Sequence, residues 1–341
     1  MKKELKIQLT SILEEHRRLG IAEQLDYSKF YLYSIITHST AIEGSTVTEV
    51  EAQLLFDEGI TSSKRTIIEQ NMNLDLRDAY QYGMEWIKQH KPITPDWLVT
   101  LASKVMARTG SEYHCAGGDF SAAKGELRRL NVTAGLGGKS YMSYVKVPIR
   151  LEAFCRELNL RRSSITPNDV AAVYDLSFWA HYELVTIHPW ADGNGRTCRL
   201  LMNLLQIEFG VLPMKVLKQD KAEYIQALID TREEENINIF VDFMANLHCQ
   251  HIKHDINAYN SSIGDKIGDN GTEYIKIGDK KAAILSFIAD NPGSKASSIA
   301  DVIGLKPSRT RDYLAQLVKE GLVQTEGANK NRTYHLAQDN S

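Results

Sequence analysis

Through about residue 255 apolar positions recur at spacings of three and four, as at Leu54 and Leu55 and from Ile67 to Ile87. That period is the one amphipathic helices show. The clearest strand-like stretch is LNVTAGLGGKSYMSYVKV at 130–147, where β-formers flank a glycine-rich turn and Pro148 stops the segment before another helix. It predicts a β-hairpin on a helical body. From 256 to 279 Asn, Ser, Gly and Asp accumulate, and Ile-Gly-Asp recurs at 263–265, 267–269 and 277–279, an irregular spacing that fits a linker better than a structural repeat. Beyond it the chain reads helix, helix, helix and two short strands around Gly327-Ala328-Asn329, with Gly304 in the turn before the third helix. That order resembles a winged helix-turn-helix. The expected divisions are an N-terminal helical region at 1–90, a core at 91–255, the linker at 256–279 and a winged domain at 280–341.

Length agrees with more than one domain: 341 residues at about 150 per domain suggest two. The 43% apolar and 24% charged residues lie close to globular averages and exclude disorder as the default state. Lys+Arg 40 against Asp+Glu 43, net −3, argues against a whole-chain polyanion binder. The winged segment departs from that balance. Nine basic residues (280, 281, 295, 306, 309, 311, 319, 330, 332) against five acidic ones (290, 301, 312, 320, 326) give +4 over 280–335. Ser308, Arg309 and Arg311 open its third helix, and Lys330 with Arg332 would sit on the wing, a stripe that suits DNA phosphates or an acidic protein surface equally. Cys115, Cys155, Cys198 and Cys249 are too dispersed for a CxxC site or a disulfide scaffold, which fits a reducing compartment. Charges interrupt any apolar start, and no run of about 18 apolar residues occurs, so a cytoplasmic protein with no membrane partner is expected.

The chemistry concentrates at 187–203, IHPWADGNGRTCRLLMN, between two helix-like stretches. Gly193, Asn194 and Gly195 allow backbone N–H groups to converge at a helix start, where the dipole also favours an anion. Arg196 and Arg199 lie three apart and grip from one side. Asp192 offers a hard oxygen to Mg²⁺, and His188 suits a general base for an incoming hydroxyl. A plain glycine-rich turn with an acidic cap and surface arginines is the competing reading.

The string His188-Pro189-Trp190-Ala191-Asp192-Gly193-Asn194-Gly195-Arg196, followed by Arg199, is similar to the HPFx(D/E)GNGRxxR signature of the Fic family, with Trp190 where Phe is usual. Ser39-Thr40-Ala41-Ile42-Glu43-Gly44 resembles that family's (S/T)xxxE(G/N) inhibitory motif, in its N-terminal placement, within a helix at about 35–48. The hairpin at 130–147 matches the family's target-presenting flap in position. The resemblance implies a mostly α, Fic-type helical core at 91–255 that moves AMP from ATP to a Ser, Thr or Tyr hydroxyl of a protein. His188 would take the hydroxyl proton, Asp192 would hold Mg²⁺, and the 193–195 backbone would cradle phosphates while Asn194 orients the α-phosphate. Arg196 would neutralise the leaving group, Arg199 would clamp the γ-phosphate, Tyr224 would line the adenine pocket, and Ser39 with Glu43 would inhibit. Self-modification and a homodimer are further expectations. Two alternatives stay open: a nucleic-acid-binding regulator with a nucleotide-sensing or vestigial site, and removal of AMP by the same site.

Two other signals weigh less. Gly137-Gly138-Lys139-Ser140 lacks the earlier glycine of a P-loop, since Thr133 stands there, and reads as a hairpin tip. His248 and His251, in the run with Cys249 and His254, could share a helix face at i, i+3 to hold a metal, but no HExxH or paired CxxC supports a site, and the run reads as a plain helix end.

Overall fold

In the computed structural model the described residues are 1–24, 26–134, 139–166, 169–267, 284–285, 287–289, 291–303, 307–319, 321–327 and 332–337. They form two compact units, residues 1–19 with 29–259, and 20–28 with 260–341. The helices α1 (Lys3–Arg18), α2 (Tyr27–Ile42), α3 (Glu49–Glu58), α4 (Ile67–Ile87) and α5 (Pro95–Val105) precede a two-stranded antiparallel ribbon, β1 (Glu112–Tyr113) with β2 (Phe120–Ser121). There follow α6 (Val147–Ser163), α7 (Val170–Ile187), α8 (Asn194–Glu208), α9 (Lys221–Glu233) and α10 (Ile237–Ile267).

Local chemistry starts these helices where they start. Thr48 caps α3 and Thr66 caps α4, each accepting from the amide three residues on while Glu51 and Glu69 reach back in reciprocal capping boxes. Thr94 caps α5, with Pro95 at its first turn. The centre of the larger unit is α8, whose Leu200, Leu201, Met202, Leu204 and Leu205 are all fully buried. A helix apolar on several faces belongs inside. Polar side chains fix its rotation: Tyr80 of α4 donates to Asn203 Oδ1 at 2.7 Å, Asn203 donates to the Met214 carbonyl at 2.8 Å, and Gln206 donates to Ser177 of α7 at 2.9 Å. Each such buried bond adds about 1 kcal/mol net and costs more if half of it is removed.

Three expectations change. The hairpin at 130–147 is narrower than its pattern: the described residues pair at one bridge, Thr133 with Ser140, flanked by amide bonds from Ala134 to Lys139 and from Tyr141 to Val132. Tyr144–Lys146 already turn as a 3₁₀ helix into α6, because Pro148 suits a first helical turn as well as it ends a strand. Residues 135–138, the turn, lie outside the described residues. Second, α10 runs to Ile267, past the expected boundary at 255. Asn and Ser cost only tenths of a kcal/mol each, up to about 0.7, and no proline interrupts a helix already propagating. His254 therefore sits within a helix rather than at its end. The remainder of the expected linker, 268–279, lies outside the described residues. Third, the β1–β2 ribbon has strands of two residues, too short for a period-two pattern to register.

The smaller unit holds α11 (Ala296–Ile303), α12 (Pro307–Lys319) and the antiparallel pair β3 (Val323–Glu326) with β4 (Thr333–Leu336). Ser294 bridges to Tyr334, adding a third short edge. Ile284, Ile288, Ile299, Leu314, Leu317, Val323 and Tyr334 make its core. Gly304, Ala328, Asn329 and Lys330 lie outside the described residues, as do the side chains of Ser308 and Arg309; Arg311 and Arg332 are exposed.

Candidate active site

The motif loop joins the C-terminus of α7 to the N-terminus of α8. His188 ends α7 in the left-handed region, φ 52°, a conformation costly for a side chain with a Cβ. Its Nδ1 faces the Val185 carbonyl at 3.3 Å, which places the proton on Nδ1 and leaves Nε2 with a lone pair. Tyr141 stacks on the imidazole, ring centroids 3.8 Å apart. Burial lowers the His188 pKa to about 4, aided by the Arg128 charge and opposed by the Val185 hydrogen bond, Asp192 and Glu43. At neutral pH the ring is an unprotonated base.

Trp190 is buried, and its Nε1 donates to the Gly125 carbonyl at 2.9 Å, so the larger ring in place of Phe gains its own anchor. Asn194 receives the Trp190 amide at 3.1 Å on Oδ1 and donates to the Trp190 carbonyl at 2.8 Å. The Asn194 side chain thus closes the loop onto Trp190. Its backbone N–H still belongs to the first turn of α8, where amides lack intrahelical partners. Gly193 has φ 80°, and a Cβ there would meet Met106 Sδ at 2.7 Å. At Gly195 a Cβ would stand 2.5 Å from Glu43 Oε1.

Arg196 is 3% exposed. Its Nη2 lies 3.1 Å from Met106 Sδ and 3.7 Å from Asp192 Oδ1, while Nε and Nη1 have no hydrogen-bond partner among the described residues. A buried cation with two idle donors is set for an anion. Asp192 accepts the Gly193 amide at 2.6 Å, yet its side chain is 57% exposed. One exposed carboxylate beside a phosphate cradle fits Mg²⁺, which keeps waters and takes phosphate oxygens for its other ligands.

Arg199 is claimed by α2. Its Nε donates to Ser39 Oγ at 2.9 Å, and its Nη2 donates to the Ser39 carbonyl at 3.0 Å and to Glu43 Oε1 at 2.6 Å. Burial raises the Glu43 pKa, but the charge and hydrogen bond of Arg199 outweigh it and hold the carboxylate below its usual range. The end of α2 is itself anchored by Asn73 of α4, which accepts from Thr40 Oγ1 at 3.0 Å and donates to Ser45 Oγ at 3.2 Å. Tyr224 is 2% exposed, its hydroxyl meets His181 Nε2 at 2.9 Å, and it lies beside Arg199. His248 bonds the Tyr174 hydroxyl at 3.0 Å while His251 pairs with Asp220 at 3.1 Å, so the histidine run turns to separate partners. No metal-holding group of three or more His, Cys, Asp or Glu occurs among the described residues.

Patterning missed Arg128, Tyr141, Met106 and Asn73, since each reaches the site through long-range contacts that leave no periodic signal. The buried imidazoles carry a stability prediction. Burial lowers His181 and His248 to about 3 and His188 to about 4, against an ordinary value near 6.5 in the unfolded chain. The unfolded state then takes up protons that the folded state excludes, so stability is full above about pH 6.5 and drains as pH falls toward 4. The melting temperature should drop between pH 7.5 and pH 5 in a thermal-shift series, and a level profile would refute neutral burial.

The fold and loop thus define a helical core with an anion cradle at a helix start, unlike the sheet-edge phosphate sites of P-loop and Rossmann proteins. Family comparison agrees: the Fic/DOC family model matches residues 92–206, and a winged helix-turn-helix DNA-binding model matches 279–324. The chain carries a Fic/DOC domain. It is similar to Protein adenylyltransferase Fic of Drosophila melanogaster, 31% identical over 238 residues, which is 70% of this chain and 44% of that protein. The Drosophila persimilis protein of the same name is 32% identical over 70% of this chain and 42% of its own length. The chain therefore spans less than half the length of these curated relatives. Among solved structures, Fic-1 from C. elegans superposes with TM-score 0.59 at 22% identity, covering 76% of this chain and 73% of that one. A Fic family protein from Desulfovibrio desulfuricans G20 gives 0.60 at 16% identity, covering 100% and 98%. These two likenesses concern the fold. No helix among the described residues is long and apolar enough to cross a membrane.

Proposed function

We propose that this chain is a protein adenylyltransferase that moves AMP from ATP to a protein hydroxyl, with residues 91–255 as its core and the end of α2, which stops at Ile42 rather than running to 48 as expected, with Glu43 just beyond it as its brake. The observation carrying this reading is the buried Arg196 with two unpartnered donors beside the α8 N-terminus, one loop away from a neutral His188. The α8 amides and Arg196 would hold the α- and β-phosphates, Arg199 the γ-phosphate, and Asp192 a Mg²⁺ ion. When bound, the ion would supply charge neutralisation on the phosphates. His188 Nε2 would accept the hydroxyl proton as its oxygen attacks the α-phosphate and pyrophosphate departs. Positioning and electrostatics do the rest, as in other phosphoryl chemistry. The name carried by the Drosophila relatives supports the reading. The intact mass after incubation with Mg²⁺ and ATP tests it: a gain of one AMP on the chain or on an added protein supports transfer, and no gain from the Glu43→Gly chain with any protein in an extract refutes it.

A second reading concerns residues 280–341, proposed as a DNA-docking wing on the strength of the family match at 279–324 and the exposed Arg311 and Arg332. Binding to a duplex should then weaken steeply with salt, and Arg311→Ala with Arg332→Ala should flatten the slope by about two. A salt series of gel shifts with no complex on any duplex would leave a protein-docking role instead.

A further inference from the structure

Arg128 is a buried cation that the phosphate chemistry does not use. It is 1% exposed, and burial alone lowers its pKa, with no carboxylate paired to it among the described residues. Its guanidinium is spent on backbone oxygens: Nε donates to the His188 carbonyl at 2.7 Å, Nη1 to the Leu130 carbonyl at 2.8 Å, and Nη2 to the Met142 carbonyl at 2.6 Å. Its own amide donates to the Pro189 carbonyl at 3.0 Å. Leu130 and Met142 lie on the two legs of the flap, outside the Thr133–Ser140 bridge. His188 and Pro189 begin the motif loop. One planar side chain therefore ties both legs of the flap, 2 and 14 positions away, to the start of the motif loop, 60 positions away.

We propose that Arg128 is the positioning residue that locks the flap to the catalytic base, fixing where a target hydroxyl is presented relative to His188 Nε2. The proposal rests on the transfer reading above. Among the described residues the flap has few bonds of its own, a single bridge with two flanking amide hydrogen bonds and the Tyr144 amide donating to Asn131 Oδ1 at 3.0 Å, and a ribbon so short is not stable alone. The left-handed turn at His188 likewise needs its carbonyl held from outside. Arginine suits the task because its rigid fork aims several donors at once, whereas lysine presents one point charge. Phosphate binding has no share in this contact, so Arg128 should govern the hydroxyl side of the reaction and leave the nucleotide side alone.

The experiment uses the full chain with Glu43→Gly, adding Arg128→Met or Arg128→Lys. Amide exchange by mass spectrometry should quicken at least about tenfold in peptides covering 130–134 and 139–146 of Arg128→Met, with α4 and α5 peptides unchanged. The kcat for AMP incorporation should fall about a hundredfold, the scale of a misplaced reacting group, while the KM for ATP stays within about threefold. Arg128→Lys should fall between the two in exchange and should not restore kcat. The proposal is overturned if flap exchange and kcat are unchanged, or if Lys restores both. It is equally overturned if kcat and ATP affinity fall together, since Arg128 would then serve the whole loop. Should Arg128→Met fail to fold, the lysine variant decides alone by the same criteria. If the Glu43→Gly parent transfers no AMP, the transfer reading has failed, and the exchange data still decide whether Arg128 holds the flap.

Discussion

Glu43→Gly should raise AMP incorporation by at least about tenfold, equivalent to roughly 1.4 kcal/mol of relieved barrier. Arg199 has one guanidinium, and α2 occupies it with Ser39 Oγ, the Ser39 carbonyl and the Glu43 carboxylate, the last at 2.6 Å. A γ-phosphate needs the same donors. With them taken, ATP can enter only with its phosphates displaced, and the α-phosphate loses the in-line geometry that attack requires. Removing the carboxylate frees the Nη2 hydrogen that Glu43 takes, without disturbing the helix, because Glu43 lies just beyond α2 and the Ser39 carbonyl holds only the other Nη2 hydrogen. Arg199→Ala on top of Glu43→Gly should abolish the gain, since the released clamp no longer exists. Radiolabelled ATP assays on the three proteins decide it. An unchanged rate in folded Glu43→Gly would mean that the contact is structural and not a brake.

His188→Ala in the released chain should lose transfer by about two to four orders of magnitude while ATP still binds. In the proposed reaction the imidazole would contribute a lone pair to the hydroxyl, while α8 amides, Arg196 and Arg199 would hold the nucleotide. Binding and turnover must therefore separate. The parent enzyme should also keep its activity on the acid side, because burial sets the working pKa at about 4. Protonation removes the base, so the rate should decline only as pH approaches that value, not near 6.5. A kcat/KM profile over pH 4.5 to 8 reads this directly. Full activity in His188→Ala, or an acid limb centred near 6.5, would remove His188 from the role of base.

Much of this site was legible because its parts sit within one loop. His188 to Arg199 spans a helix end, a turn and a helix start, and local rules alone place glycines, an acid and two arginines there around an anion. The Glu43 pairing is different: 156 positions separate it from Arg199, and only a motif shared with relatives connected them before α2 was seen against α8. Asn194 shows the limit from the other side. Its type suits phosphate binding, and only the fold turns its amide onto Trp190, because a buried loop must satisfy its own N–H and C=O groups first. Tyr224 likewise lies in the core, beside Arg199.

Periodicity also carried the helical class and the winged order of the C-terminal segment, since each element's pattern is local. It overstated the flap as a full hairpin and ended α10 early, where weak helix formers without proline simply continue a helix. Thus the sequence by itself determined a helical body, a glycine-rich loop at 188–199 that opens a helix and carries two arginines, and an appended basic module. The tertiary structure alone decided that Arg196 keeps idle donors among the described residues while Arg199 Nε and Nη2 are taken by Ser39 and Glu43, and that Arg128 spends its charge on three carbonyls. The reason is physical: a residue's type fixes what it can donate or accept, but which partner it meets, and how little water competes, depends on chain segments brought together only by folding.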